Sequence, residues 1–189
     1  MSTPAFDVAL RLIVSRGEVP PASNEVAVRT RRRLAAAFET LGHTSDALAA
    51  GEAEDLIWAL WTSHDDSDAE ARLDRAIRHI AAREFAPALA LLDALLAERP
   101  EYVEAWNKRA TLFFLMERDH ESVADIIRTL ELEPRHFGAL CGFAQICLRH
   151  GRRAEALTAF EAALAVNPHM AGARVAVESL SGEFGSTAH

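Results

Sequence analysis

The chain is short of most features that mark a specialised chemistry. It has two cysteines among 189 residues, Cys141 and Cys147. On one helix, six residues apart, they stand about 9 Å apart along the axis, too far for an easy bridge. Neither belongs to a CxxC pair, which argues against a redox or zinc centre and for buried free thiols in a reducing compartment. Basic charge is also in deficit: 20 Lys and Arg stand against 28 Asp and Glu, a formal net charge of −8. A nucleic-acid partner would need a basic face to displace counterions, so none is expected. The one basic cluster, Arg29, Arg31, Arg32 and Arg33, reads as the wet face of a helix.

No uncharged apolar run of 18 residues occurs, so no membrane insertion is expected. The apolar stretch from Phe6 to Val14 contains Asp7 and Arg11 and follows no positive region, unlike a secretory signal. A cytoplasmic location is the corresponding expectation. A glycine-rich phosphate loop, HExxH and GxSxG are all missing, and no cysteine pairs with a motif histidine. His43, His64, His120, His150 and His169 fall at expected turns or helix starts, where exposed polar residues are the rule. The acidic HDDSD segment (64–68) resembles the start of a calcium loop but lacks the required Gly and closing Glu. The expectation is therefore a non-enzyme, with no cofactor and no metal.

What is present is a repeat. Half the residues are hydrophobic and a quarter charged, the balance of a folded chain, and Ala and Leu dominate the apolar part. Pro100, Pro134 and Pro168 recur every 34 residues, closing the phrases LLAERP, TLELEP and LAVNP. Twenty-four residues before them stand Ala76, Ala110 and Ala144; twelve before, Ala88, Ser122 and Ala156. Large apolar residues fill the next columns: Leu92, Ile126 and Phe160, then Leu96, Leu130 and Leu164. Small residues recur where helices must approach, and large ones where a layer must be filled. Phe85, Ala88, Leu89, Leu92 and Leu96 follow the spacing of a one-faced helix, and Trp106, Ala110, Phe113 and Phe114 repeat it. With turns at Arg83–Glu84, Arg118–Asp119 and His150–Gly151, each unit reads as a helix-turn-helix hairpin.

These columns resemble tetratricopeptide repeats over residues 69 to 168. Trp106, Ala110, Phe113, Ser122, Leu130 and Pro134 fit the pattern in the middle unit. Ala144, Gly151, Ala156, Phe160, Ala163 and Pro168 fit it in the third. The first unit departs, with Arg72 at the early aromatic position and His79 where Tyr or Phe is usual. AWNKRATLFFLM, LELEPRHFGAL and NPHMAGAR, with EAEDLIWALW upstream, also resemble a group of small bacterial tetratricopeptide proteins. Members of that group often carry an export signal, which the N-terminus here lacks.

The resemblance implies an all-α, right-handed superhelix of three repeats, about 69–102, 103–136 and 137–168. An N-terminal helical extension (1–66) precedes the repeat domain (67–182). A capping helix (169–181) with Met170, Ala173, Val177 and Leu180 inward should stop at Gly182, leaving 183–189 as a flexible tail. Three helices are expected upstream: Pro4–Arg16 with Thr3 as cap and Gly17 as stop, Asn24 to Gly42, and Ser45 to Trp61. HDDSD should be the joint to the repeats.

In such a superhelix the first helix of each hairpin lines the concave side, which implies a groove for another protein. Its positions are Leu73, Ile77 and Ile80, then Asn107, Lys108, Thr111 and Phe114, then Cys141, Gln145, Leu148 and Arg149. Some tetratricopeptide domains clamp a partner's C-terminal carboxylates, but the matching positions here are Leu73, Ile77, Lys108, Gly138 and Gly142. A mostly apolar groove suits an amphipathic helix or an extended apolar peptide. The helix from Pro4, with Phe6, Leu10, Ile13 and Val14 on one face, could fill that groove in its own chain or in a neighbour, making a homodimer. Alternatively it covers the N-terminal edge of the solenoid. Trp58 and Trp61 could glue the upstream helices to repeat one or form a dimer contact.

Overall fold

The computed structural model describes residues 4–15, 17–21 and 25–186, with side chains to Gly182. Ten helices occur among them: α1 (Pro4–Ser15), α2 (Glu25–His43), α3 (Ala47–Thr62), α4 (Ser67–Ala81), α5 (Phe85–Glu98), α6 (Val103–Leu115), α7 (Asp119–Leu132), α8 (Phe137–Arg149), α9 (Arg153–Val166) and α10 (Ala171–Ser186). No strand is present among the described residues. None of these helices is long and apolar enough to cross a membrane.

The three units pair as α4 with α5, α6 with α7 and α8 with α9, and α10 closes the stack on α9. Inside each hairpin the tight turn is held by one residue in the left-handed region: Arg83 at φ 58°, Glu117 at φ 60° and Gly151 at φ 69°. These three share one column of the 34-residue repeat. Only the third has a glycine, the residue without a Cβ penalty there. Ala76, Ala88, Ala144 and Ala156 have no exposed surface, and Ala110 and Ser122 almost none. The small columns are therefore where helices touch. Ser122 meets its burial by donating its hydroxyl to the Ala110 carbonyl at 2.7 Å.

Two joints are capped by acids or imidazole. Asp66 in the HDDSD segment accepts from the backbone N–H of Asp68 and Ala69, starting α4. His136 plays that part for α8, its Nδ1 accepting from Ala139 N–H at 3.1 Å. Thr3, the cap expected for α1, lies outside the described residues, as do residues 187–189. Gly182 does not end the last helix, which continues to Ser186. A glycine costs a helix about 1 kcal/mol but breaks it only where the backbone must change hand.

The upstream helices form a hairpin, α2 on α3, and it lies along the turns that join one unit to the next. Glu54 accepts from Asn167 at 3.1 Å near the end of unit three. Trp58 and Trp61 sit on His136 and Phe137, between units two and three. The Thr62 carbonyl accepts from the Tyr102 hydroxyl, between units one and two. So α3 runs antiparallel to the order of the repeats. The two tryptophans glue the hairpin to the joint of units two and three, not to repeat one as the sequence suggested, because the aromatic partners stand at that later joint.

The arm α1 lies in neither place expected of it within its own chain. It packs on α7 and α9, the second helices of units two and three, burying Phe6, Ala9 and Ile13. It covers neither the first-helix face nor the edge at α4. Phe6 finds its aromatic partners between those helices: Phe143 at 5.8 Å, and His120 and His150 edge-on.

Candidate protein-docking groove

The first helices α4, α6 and α8 lie side by side. Because their units repeat every 34 residues, they present matched columns across the stack. The column nearest their N-termini is Leu73, Asn107 and Cys141. Leu73 is fully buried, Asn107 is 6 % exposed and Cys141 is half-buried. The middle column, Ile77, Thr111 and Gln145, opens from half-buried to exposed. The last column, Ile80, Phe114 and Leu148, is an apolar ladder, with Leu148 37 % exposed. The face thus passes from core at one end to open surface at the other.

In units two and three α3 lies against the closed end, whereas Leu73 is buried within unit one. The Trp58 ring approaches Gly138 so closely that a Cβ there would lie 2.8 Å from Cη2. Lys108 puts its ammonium 5.4 Å from the centre of that same ring and 2.9 Å from Glu104 Oε1. Lys108 is therefore committed within the chain. Glu104 itself has no exposed surface. Its carboxylate accepts from Asn107 Nδ2 at 3.1 Å and from His136 Nε2 at 2.9 Å. Since His136 Nδ1 accepts the Ala139 N–H, the ring proton sits on Nε2, where Glu104 needs a donor. Burial pushes the Glu104 carboxyl up, but the hydrogen bond from His136 and the ammonium of Lys108 hold it below its ordinary range.

Two expected groove residues are thus corrected. Leu73 belongs to the core of unit one, and Asn107 is spent on Glu104. Neither offers surface to a partner. Of the others, Thr111 and Gln145 lie exposed in the middle column, and Phe114 and Arg149 meet at the last, beside Ile80 and Leu148. Arg149 sits over Phe114, its guanidinium carbon 3.8 Å from the ring centre, with Nη1 donating to Asp119 at 2.7 Å. It bridges units two and three across the groove floor. Burial pushes the Cys141 thiol up to about 11 and that of Cys147 to about 12, so both are protonated at neutral pH. Glu104 and His136 escaped the sequence reading. Their contact spans 32 residues, from the start of α6 to the cap of α8, and no spacing rule links them.

No family model matches the chain. It is 34 % identical over 138 residues to a TPR repeat-containing protein of Rhizobium etli, covering 73 % of this chain and 68 % of that one. It is also 30 % identical over 103 residues to rat (Rattus norvegicus) DnaJ homolog subfamily C member 3. That match covers 54 % of this chain but spans only 20 % of the DnaJ homolog's length. Among solved structures, MamA in its AMB-1 form matches with a TM-score of 0.53 at 18 % identity, covering 84 % of each chain. The MSR-1 form matches at 0.52 and 17 %, covering 84 % of this chain and 88 % of that one. The MamA likeness shows the fold, and the Rhizobium relative shows the family. With three 34-residue hairpins stacked behind a common face, the chain belongs to the TPR repeat-containing proteins, a family of interaction scaffolds.

Proposed function

We propose that the chain docks another protein across the open end of its first-helix groove. The ligand is an amphipathic helix or an extended apolar peptide. Its apolar side chains would lie on Ile80, Phe114 and Leu148, while Thr111, Gln145 and Arg149 meet its polar groups. The observation that carries this reading is the gradient along the groove. Its inner column is closed by packing, whereas at the far end Ile80 and Phe114 are half-buried and Leu148 is exposed. Catalysis has no part in this reading, and a cytoplasmic setting fits the two unpaired thiols.

Affinity capture from a bacterial lysate tests it, comparing the natural chain with Phe114→Ala combined with Leu148→Ala. Loss of a partner from the variant, with unchanged helical content, is the expected result. Equal recovery of every partner would remove the groove from the account. Recombinant partner segments then bind the natural chain at least tenfold tighter than the variant.

A further inference from the structure

The crevice that holds α1 is not a generic gap between helices. One unit earlier, the corresponding space between α5 and α7 is closed by an ion triad. Arg109 donates to Asp125 at 2.7 Å and to Asp93 at 2.8 Å. Moving each of these residues on by 34 positions gives Phe143, Ala159 and Ile127. Every charged member of the triad is thus replaced by an apolar one. Phe143 and Ala159 have no exposed surface beneath the arm.

A second substitution in the same register makes room for an aromatic ring. In unit two, the Arg118 guanidinium lies 4.5 Å from the centre of the Phe113 ring and pairs with Glu121. In unit three, Arg152 and Glu155 repeat that pair, but Cys147 stands where Phe113 stood. The ring beneath Arg152 is supplied from outside the repeat: it is Phe6 of α1, 4.6 Å from the guanidinium carbon. Arg152 also reaches Asp7 at 3.4 Å. Unit three has lost its own ring and its own ion triad, and α1 fills both losses.

We propose that this crevice is a helix-receiving site and that α1 is an exchangeable arm, so that α1 of a second copy occupies it when the resident arm leaves. The occupant is fixed by fit. The crevice takes Phe6, Ala9 and Ile13 along one helical face and an acid beside the aromatic, and a second copy carries that same segment. Among the described residues the arm packs mainly on α7 and α9, and a twelve-residue helix has little stability of its own in water. Docked on its own chain it benefits from an effective concentration of roughly millimolar, so exchange needs either crowding or a weakened arm. Exchanging one identical element between copies is a low-cost route to a dimer.

The test is complementation between two full-length variants. One, Ile127→Asp with Phe143→Arg and Ala159→Asp, copies the ion triad of the preceding crevice; it keeps the arm and loses the site. The other, Phe6→Ala with Ile13→Ala, keeps the site and silences the arm. Sedimentation velocity should show each alone as a monomer and their equimolar mixture as a one-to-one dimer. A mixture of two folded monomers that never associates overturns the proposal. Should the triple variant misfold, a fluorescent peptide of residues 4–15 replaces it as the probe. It should bind the Phe6→Ala/Ile13→Ala chain at least tenfold tighter than the natural chain, whose crevice is filled. Equal affinity, or no binding to either, also overturns it.

Discussion

The Trp61 indole lies flat on the His136 imidazole, ring centres 4.0 Å apart and planes 13° from parallel. That stack joins the upstream hairpin to the joint between units two and three. Trp61 is only 5 % exposed and also touches Phe38, Trp58 and Phe137. Replacing it removes a large buried ring from the interface and leaves a hole. Trp61→Ala should therefore cost about 3–5 kcal/mol, as buried Trp-to-Ala changes do. Urea unfolding followed by circular dichroism measures it. A loss below 1 kcal/mol would mean the hairpin holds without this stack.

Gly138 sits beneath Trp58, and a Cβ at that position would also lie 3.3 Å from His136 Cε1. Gly138→Ala should force the indole aside and destabilise the chain by about 1–3 kcal/mol, the usual cost of overpacking. Gly142, one helical turn on, has its nearest neighbour, the Ile126 methyl, at 3.6 Å from such a Cβ. Gly142→Ala is accordingly the control, expected to raise stability by up to about 1 kcal/mol through helix propensity. The two melting temperatures decide the matter, and equal values would contradict the close approach.

Glu104 makes stability depend on acid. Its carboxyl is held below its ordinary value of 4.5 in the folded chain, so its contribution is complete above pH 4.5. That contribution is lost as the pH falls through the lower folded value. Glu104→Gln removes this dependence while keeping the size of the side chain, and it lowers stability at pH 7 by leaving Lys108 without its partner. Urea midpoints measured from pH 7 down to 3 should therefore converge for the two chains. Parallel curves would show that Glu104 is not the titrating group.

Arg83 and Glu117 occupy left-handed turns that Gly151 occupies without penalty. A residue with a Cβ in that region pays roughly 1 kcal/mol or more. Arg83→Gly and Glu117→Gly should each raise stability by about 0.5–1 kcal/mol, less the flexibility that glycine adds to the unfolded chain. Gly151→Ala should lower it by a similar amount. Differential scanning calorimetry on the three variants gives the sign directly; a melting point that falls for both glycine variants would rule the explanation out.

The repeat was legible because its determinants are local and periodic. Small residues at Ala76, Ala110 and Ala144 and closing prolines at Pro100, Pro134 and Pro168 lie at fixed spacings that a single chain displays. The turns inside the repeats marked where helices end, but Gly182 did not stop α10, and no period in the sequence paired α2 with α3. The helical faces of Thr111, Phe114, Gln145 and Arg149 could be read from the same spacings. Leu73 and Asn107 could not, because whether such a face is open or covered depends on what lies across it.

What covers a surface is a long-range matter, and here the tertiary structure alone decided it. The contacts of Trp61 with His136, of Glu104 with His136 and of Phe6 with Phe143 join segments 75, 32 and 137 positions apart. Hydrophobic pattern says that a helix must bury one face, but it is blind to which partner, since burial is non-directional and many apolar faces would serve. The amino-acid sequence by itself determined a three-repeat helical stack with a closing helix. Only packing in three dimensions set α3 along the joints between units and α1 between α7 and α9, leaving Leu148 exposed beside half-buried Ile80 and Phe114.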